Sequence, residues 1–188
     1  MWLEILKITF LLATVIQIGF WLGLFVRLAF YRLPEFPLRS ASNPGVSVVI
    51  CARNEAENLQ RFLPRMLEQE YDIFEVIVVN DHSVDNSEAI ILEFQKKYPN
   101  LHLINESNKE LPGKKSALQK GILAAQHEIL LLTDADCFPG SNNWLVSMVA
   151  SYQNGAPIVL GYSPYYTENS WLNFFIRYET AYTATQYL

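Results

Sequence analysis

The stretch Val46-Ser47-Val48-Val49-Ile50-Cys51-Ala52-Arg53-Asn54-Glu55 decides the fold. Its first six residues form a β-branched run with almost no polar alternation. A strand wetted on one face alternates apolar and polar, whereas a continuous run marks a strand buried on both faces, as in parallel sheets. The run stops at Arg53-Asn54-Glu55. Asn54 stands where a helix cap belongs, with Glu57 three residues on as its return partner. Leu59, Phe62, Leu63, Met66 and Leu67 then recur at helical spacing and make one apolar face. Pro64 lies inside that helix and predicts a kink, because it cannot donate to Gln60.

The pattern repeats along the chain. Residues 75–80 (EVIVVN) read as a second strand, and Asp85 with Glu88 repeats the capping pair before a helix running to about residue 98. Residues 101–104 make a shorter strand. Residues 114–125 are helical, with Leu118, Gly121, Ile122 and Ala125 on one face. Residues 128–133 (EILLLT) form a fourth strand, 144–153 a helix, 157–161 a strand, and 171–188 an aromatic-rich amphipathic helix. Alternating strands and helices with apolar strands predict an α/β fold with a doubly wound, mainly parallel sheet. Ligands of such sheets bind beyond the C-terminal ends of the strands. Three of those ends carry polar groups: Arg53-Asn54-Glu55, Asp81-His82-Ser83 and Asp134-Ala135-Asp136.

Ahead of the sheet, residues 8–26 contain no charge. At about 1.5 Å per residue such a helix is about 28 Å long, near the hydrocarbon thickness of a bilayer. Trp2 and Tyr31 sit where interfacial aromatics belong, whereas Trp21 sits deeper than that role requires. One transmembrane helix is therefore expected within residues 1–33, in preference to a cleaved signal or a buried core helix. Glu4 and Lys7 precede it and Arg27, Arg32 and Arg39 follow. The positive-inside rule then places the remainder in the cytoplasm. Residues 34–45, with Pro34, Pro37 and Pro44, read as a linker.

The 188-residue chain has a formal net charge of -5. Residues 1–43 hold four Lys+Arg and two Asp+Glu, so +2, which leaves -7 for the rest. An acidic body excludes nucleic acid as the main partner. It does not exclude a nucleotide, whose phosphates a metal held by carboxylates neutralises. No Gly-x-Gly-x-x-Gly follows the first strand, which argues against a dinucleotide oxidoreductase. Gly113-Lys114-Lys115-Ser116 is not a P-loop: Asn108 stands where the first glycine belongs, and Lys115 replaces the Ser/Thr. It remains a basic helix N-terminus suited to an anion, with a solvated helix start as the alternative. Asp134 and Asp136 follow an apolar strand at i, i+2 spacing. Hard oxygen ligands of this kind suit Mg²⁺ or Mn²⁺ and would stabilise charge on a leaving diphosphate. An ordinary solvated turn is the alternative. His82, His102 and His127 lack metal-ligand spacing. Tyr162, Tyr165, Tyr166 and Trp171 suit either a sugar site or a membrane-facing surface.

Four segments in order carry a resemblance. Val46 to Glu55 resembles the opening of family 2 glycosyltransferases of the GT-A fold, and 78–85 (VVNDHSVD) resembles their second-strand motif. Gly113-Lys114-Lys115-Ser116-Ala117-Leu118 and Leu132-Thr133-Asp134-Ala135-Asp136 resemble the third motif and the Asp-x-Asp motif. The resemblance implies a nucleotide-sugar-binding domain over 46–165 and the start of an acceptor half over 166–188. It implies that Glu55 and Asp81 contact the nucleoside, with Arg53 and Asn54 at the same edge. Lys114 would lie near the nucleotide, Asp134 at the ribose or sugar, and Asp136 on the metal with Asp134 beside it. Ala52-Arg53 stands where an aromatic often precedes Asn. The implied reaction is inverting transfer of a sugar from a nucleoside diphosphate, most often UDP, to a glycan or lipid acceptor. A single base activates the acceptor hydroxyl. Rival readings are a non-catalytic nucleotide-sugar binder and a nucleotidyltransferase-like enzyme; release of nucleoside diphosphate rather than pyrophosphate separates the last. Glu168 and Glu179, the only carboxylates after Asp136, lie in no acidic cluster. The catalytic base is therefore expected beyond Leu188, and residues 1–188 are expected to bind donor without robust transfer.

Cys51 and Cys137 form neither a CxxC pair nor a disulfide framework, and both are expected near the ends of neighbouring strands as free thiols. Thiol titration of denatured protein prepared without oxidant should find two reactive groups; finding none would contradict a reducing compartment.

Overall fold

A computed structural model describes residues 2–30, 43–106, 113–153 and 157–185. The chain divides into two compact units, Phe36–Val159 and Met1–Glu35 with Leu160–Leu188.

The first unit is built on a parallel sheet of order β3-β2-β1-β4. The strands are β1 (Val46–Ala52), β2 (Phe74–Asn80), β3 (Leu101–Asn105) and β4 (Ile129–Asp134). Every residue of β1 is buried, because helices cover both faces, as its unbroken apolar sequence requires. Val46, Val48, Ile50 and Ala52 alternate onto one face with Val76 and Val78. There they pack with α2 (Ala56–Leu67), α3 (Ser87–Gln95) and α5 (Trp144–Gln153) through Leu59, Leu63, Ile91 and Leu145. Cys51, Ile77 and Val79 face the other way onto Ala117 and Leu118 of α4 (Lys115–Ala124). The chain moves outward from β1 to β2 and β3, then crosses back through α4 to β4 on the far side of β1. A crevice opens where strand order reverses, here between the ends of β1 and β4.

Several local expectations are corrected. Neither Asn54 nor Glu57 caps α2. The residue ahead of the helix is Glu55, which makes no side-chain cap hydrogen bond, and Asn54 takes a left-handed φ of 56°. Asn86, not Asp85, precedes α3, and Glu88 accepts from Asn105 Nδ2 at 2.7 Å instead of returning to a cap. α3 stops at Gln95, short of residue 98. As expected, Pro64 lies inside α2, which continues to Leu67. On α4 the buried positions are Ser116, Ala117 and Gly121. Ile122 is exposed, because α4 turns its small residues to the sheet. Cys51 lies inside β1, not after it, and pairs in register with Asp134; Cys51 and Cys137 are both free thiols. Residues 34–42 of the expected linker and 186–188 of the expected last helix lie outside the described residues.

No strand forms over 157–161. Ile158 and Leu160 are 76% and 70% exposed, and a strand without a ladder partner is not stable on its own.

The second unit contains α1 (Trp2–Ala29) and α6 (Trp171–Thr185). α1 has no buried residue. Its mean hydropathy reaches 2.0, so it is long and apolar enough to cross a membrane. Thr9 and Thr14 donate their hydroxyls to the carbonyls of Ile5 and Phe10 one turn back, which hides those polar groups within the helix.

Gly121 sets how closely α4 approaches the sheet. A Cβ there would lie 2.4 Å from Val49 Cγ1 and 3.0 Å from Val79 Cγ2, and both valines are fixed in the core. Gly121→Ala gains about 0.8–1 kcal/mol of helix propensity, but overpacking costs about 1–3 kcal/mol. A lowered midpoint in urea unfolding is expected; a raised midpoint would mean α4 moves off the sheet freely.

Candidate functional site

The ends of β1, β2 and β4 and the start of α4 enclose a cleft of about 370 Å³. β1 contributes Cys51, Ala52, Arg53 and Glu55; Asp81 follows β2; Gly113 and Lys114 precede α4; Asp134, Ala135 and Asp136 end β4. Of the residues singled out from sequence, Arg53, Glu55, Asp81, Lys114, Asp134 and Asp136 are brought together here. Asn54 is not among the lining groups.

Asn54 instead fastens two loops together. Its Oδ1 accepts from Val84 N–H at 2.8 Å, and its own N–H donates to Ser83 Oγ at 3.0 Å. Glu55 N–H donates to Ser87 Oγ, and Ala56 N–H to Asp85 Oδ2, both at 3.0 Å. The β2 loop thus supplies acceptors for the otherwise orphaned first amides of α2. Asp85 also accepts from the Ser87 hydroxyl and amide. The Ser87 hydroxyl, helped by the Ala56 and Ser87 amides, holds the Asp85 carboxyl below its ordinary pKa. The clasp sets Glu55, whose carboxylate accepts from Asn58 Nδ2 at 2.6 Å.

Asp81 is buried and its N–H donates to Ala52 O at 2.8 Å, extending the β1–β2 ladder by one bond. The chain turns sharply there, with His82 at a left-handed φ of 56° and its Nδ1 3.2 Å from Asp81 Oδ1. Gly113 has a φ of 68°, a conformation glycine adopts without steric cost. Left-handed residues therefore mark three of the four loops around the cleft, a common signature of functional sites.

β4 stops at Asp134 and the chain turns, with Cys137 N–H donating to Asp134 O at 3.2 Å. Ala135 is buried in the core while Asp134 and Asp136 on either side are exposed, so the turn directs both carboxylates to the cleft. The Phe138 ring stacks on Phe62 at 4.9 Å, and Arg65 lies 4.6 Å over its face. This anchor holds the Asp136 turn against α2.

Lys114 bonds Asp134 across the cleft. Partial burial pulls the Lys114 pKa down, but the Asp134 bond and the neighbouring acids outweigh it and leave it raised. Burial raises the Cys51 thiol pKa, against the pull of Lys114, so this thiol stays protonated at neutral pH. Among the described residues no group of three or more His, Cys, Asp or Glu gathers as a metal cage. The carboxylates that could hold an ion at this cleft are Asp134 and Asp136, with Asp134 engaged by Lys114. That suits an ion such as Mg²⁺ or Mn²⁺, which takes one or two protein carboxylates and completes its shell with phosphate oxygens and water.

Sequence reasoning missed the clasp of Ser83, Asp85 and Ser87, the strained His82 and the Phe138 anchor. The signals present in sequence were the polar strand end Asp81-His82-Ser83 and the Asp85 carboxylate, read as a cap for its own helix; neither shows the contact with the first loop.

The family model described as glycosyl transferase family 2 matches residues 47–186. Poly-beta-1,6-N-acetyl-D-glucosamine synthase of Staphylococcus epidermidis is 38% identical over 92 residues, which are 49% of this chain and 22% of that protein. Glycosyltransferase AglE of Haloferax volcanii is 36% identical over 104 residues, 54% of this chain and 33% of that one. The mannosyltransferase PcManGT of Pyrobaculum calidifontis, solved with GDP-Man and Mn²⁺, superposes with a TM-score of 0.59 at 26% identity, over 72% of this chain and 40% of that chain. The matched region thus spans well under half the length of each. Four motif-bearing strand ends and loops, in order around one cleft, together with a match over 47–186, establish that the chain belongs to glycosyl transferase family 2.

Proposed function

We propose that this chain is the donor-binding part of an inverting, metal-dependent glycosyltransferase that uses a UDP-sugar and is anchored by α1, with the sheet unit in the cytoplasm. The observation that carries the reading is the gathering of Glu55, Asp81, Lys114, Asp134 and Asp136 on one cleft at the switch point of a parallel sheet.

The roles are those the family resemblance implies, and the charge and position of each residue at the cleft support them. Asp81 and Glu55 lie on the β1–β2 side and accept hydrogen bonds from the nucleoside, with Arg53 beside them. Lys114, at the start of α4, faces the diphosphate with the positive end of the helix dipole behind it. A bound diphosphate competes with Asp134 for the Lys114 ammonium, and the released Asp134 carboxylate turns to the ribose or sugar. Asp136, with Asp134 beside it, holds the divalent ion. Such an ion stabilises negative charge on a departing diphosphate. Sugar transfer to a glycan or lipid acceptor further requires a base on the acceptor side. Arg27, Arg32 and Arg39, against Glu4 and Lys7, favour the cytoplasmic orientation.

The test is titration of UDP, and of GDP as a competitor, with and without Mn²⁺, on wild type and Asp136→Ala. Mn²⁺ should tighten UDP binding to wild type only. Losing this charged contact costs about 1.5–3 kcal/mol, or about ten-fold and more in affinity. Equal affinities in every arm remove Asp136 from the metal; tighter GDP binding reassigns the base.

A further inference from the structure

We propose that α6 lies in the membrane interface, with its aromatic face in the acyl–headgroup boundary beside α1. The inference rests on α1 spanning the bilayer, as proposed above.

The argument begins with which side of α6 is covered. At 3.6 residues per turn, Trp171, Phe174, Phe175, Tyr178 and Tyr182 fall within an arc of about 100°. A helix packed on a soluble core buries that stripe and wets the opposite one. Here the order is inverted. Asn173, Arg177, Thr180 and Ala184, at i, i+4, i+7 and i+11, are all partly buried. Trp171 is 81% exposed, Phe175 59% and Phe174 55%.

The local structure fixes this orientation. Ser170 Oγ accepts from Asn173 N–H at 3.1 Å, three residues on, as an N-cap does. Asn173 then clasps the preceding chain, accepting from Glu168 N–H and donating to Tyr166 O, both at 2.9 Å. The polar stripe is tied down, and the aromatic stripe is left bare from Trp171 to Tyr178, with Tyr182 half-buried at its end.

Two observations select a lipid surface as the occupant. Tyr182, at the end of the aromatic stripe, packs on Trp21 of α1 at 5.6 Å and also stacks on Tyr178. Trp21 lies five residues, about 7.5 Å, inside the end of the uncharged run at Val26, below the headgroups and at the depth to which an interfacial helix buries its apolar face. The bare stripe of α6 is therefore continuous with the bare apolar surface of α1. In addition, the helix carries one Arg and one Glu, so it has no net charge, and its apolar side is Trp, Tyr and Phe. Amphipathic aromatics of this kind concentrate at membrane interfaces.

The test uses the full chain in phosphatidylcholine–phosphatidylglycerol vesicles. Single spin labels replace Phe175, Tyr178, Arg177 or Ile16, each as X→Cys in a Cys51→Ser/Cys137→Ser background. Collision with oxygen and with a water-soluble nickel chelate is read for each. Labels at Phe175 and Tyr178 should favour oxygen, about 5–10 Å below the headgroup boundary, and the Arg177 label should see less oxygen than either. Phe175 and Tyr178 labels open to nickel overturn the proposal in favour of a solvated helix. Labels shielded from both reagents overturn it in favour of cover by protein. The Ile16 label separates the two readings: if it is deep in the bilayer while Phe175 is wet, α1 spans and only the α6 assignment fails. If Ile16 itself is wet, the anchor reading fails.

Discussion

The parallel pairing of β1 with both β2 and β4 is the constraint from which the site follows. Val46 pairs with Phe74 on one side and Ile129 on the other, and the register continues until Cys51 meets Asp134 and Ala52 meets Asn80. Three strands then end at nearly one level, with their chains departing in different directions. A slip of one residue in either ladder would turn every side chain of that strand to the opposite face. It would put Ser47 or Cys51 in the larger core and displace the carboxylates from the cleft. Burial on both faces prevents this, because each fully buried Val or Ile contributes about 1.5–3 kcal/mol in the correct register.

Within that frame the polar groups do two separate kinds of work. Buried at the far end of the sheet, Glu75 accepts from Ser47 Oγ at 2.6 Å and from Gln126 N–H at 2.7 Å, which joins β1, β2 and the turn into β4. Buried beside α4, Glu106 accepts from Ser116 Oγ at 2.6 Å and pairs with Lys120. A buried carboxylate without partners is costly, so both fasten elements that the apolar core alone would let slide. Around the cleft the logic is reversed: Asp134 and Asp136 are exposed, and Lys114 partly offsets Asp134. Stability gains little from an exposed ion pair, which leaves these charges available to a ligand.

The loops that carry them are held by strain and hydrogen bonding together. Asn54 and His82 sit at positive φ, unfavourable for most residues, and each is kept there by the opposite loop or by a ladder bond. Glu55 and Asp81 are thereby set in place before any ligand arrives, and preorganisation of this kind lowers the entropic cost of binding.

The sequence by itself determined the alternation of elements, the parallel sheet and the four motif positions. Hydrophobic periodicity is a local property, and strand burial on both faces leaves it plain in Val46–Ala52 and Phe74–Asn80. It also showed α1, whose uninterrupted apolar run needs no partner to be recognised. What only the tertiary structure decided was where side chains spend their hydrogen bonds. Asn54 has the chemistry of a cap for its own helix, yet it holds the neighbouring loop; Asp85 accepts from the first amide of its own helix, as its sequence position suggests, and also from the Ala56 amide of α2, which lies near it in space though not in sequence. Likewise residues 157–161 have strand composition but no ladder, and strand formation depends on a partner that composition cannot supply. The burial of Gly121 in place of Ile122 follows from the same cause: how near α4 lies to Val49 is a distance between elements, and periodicity within one helix does not contain it.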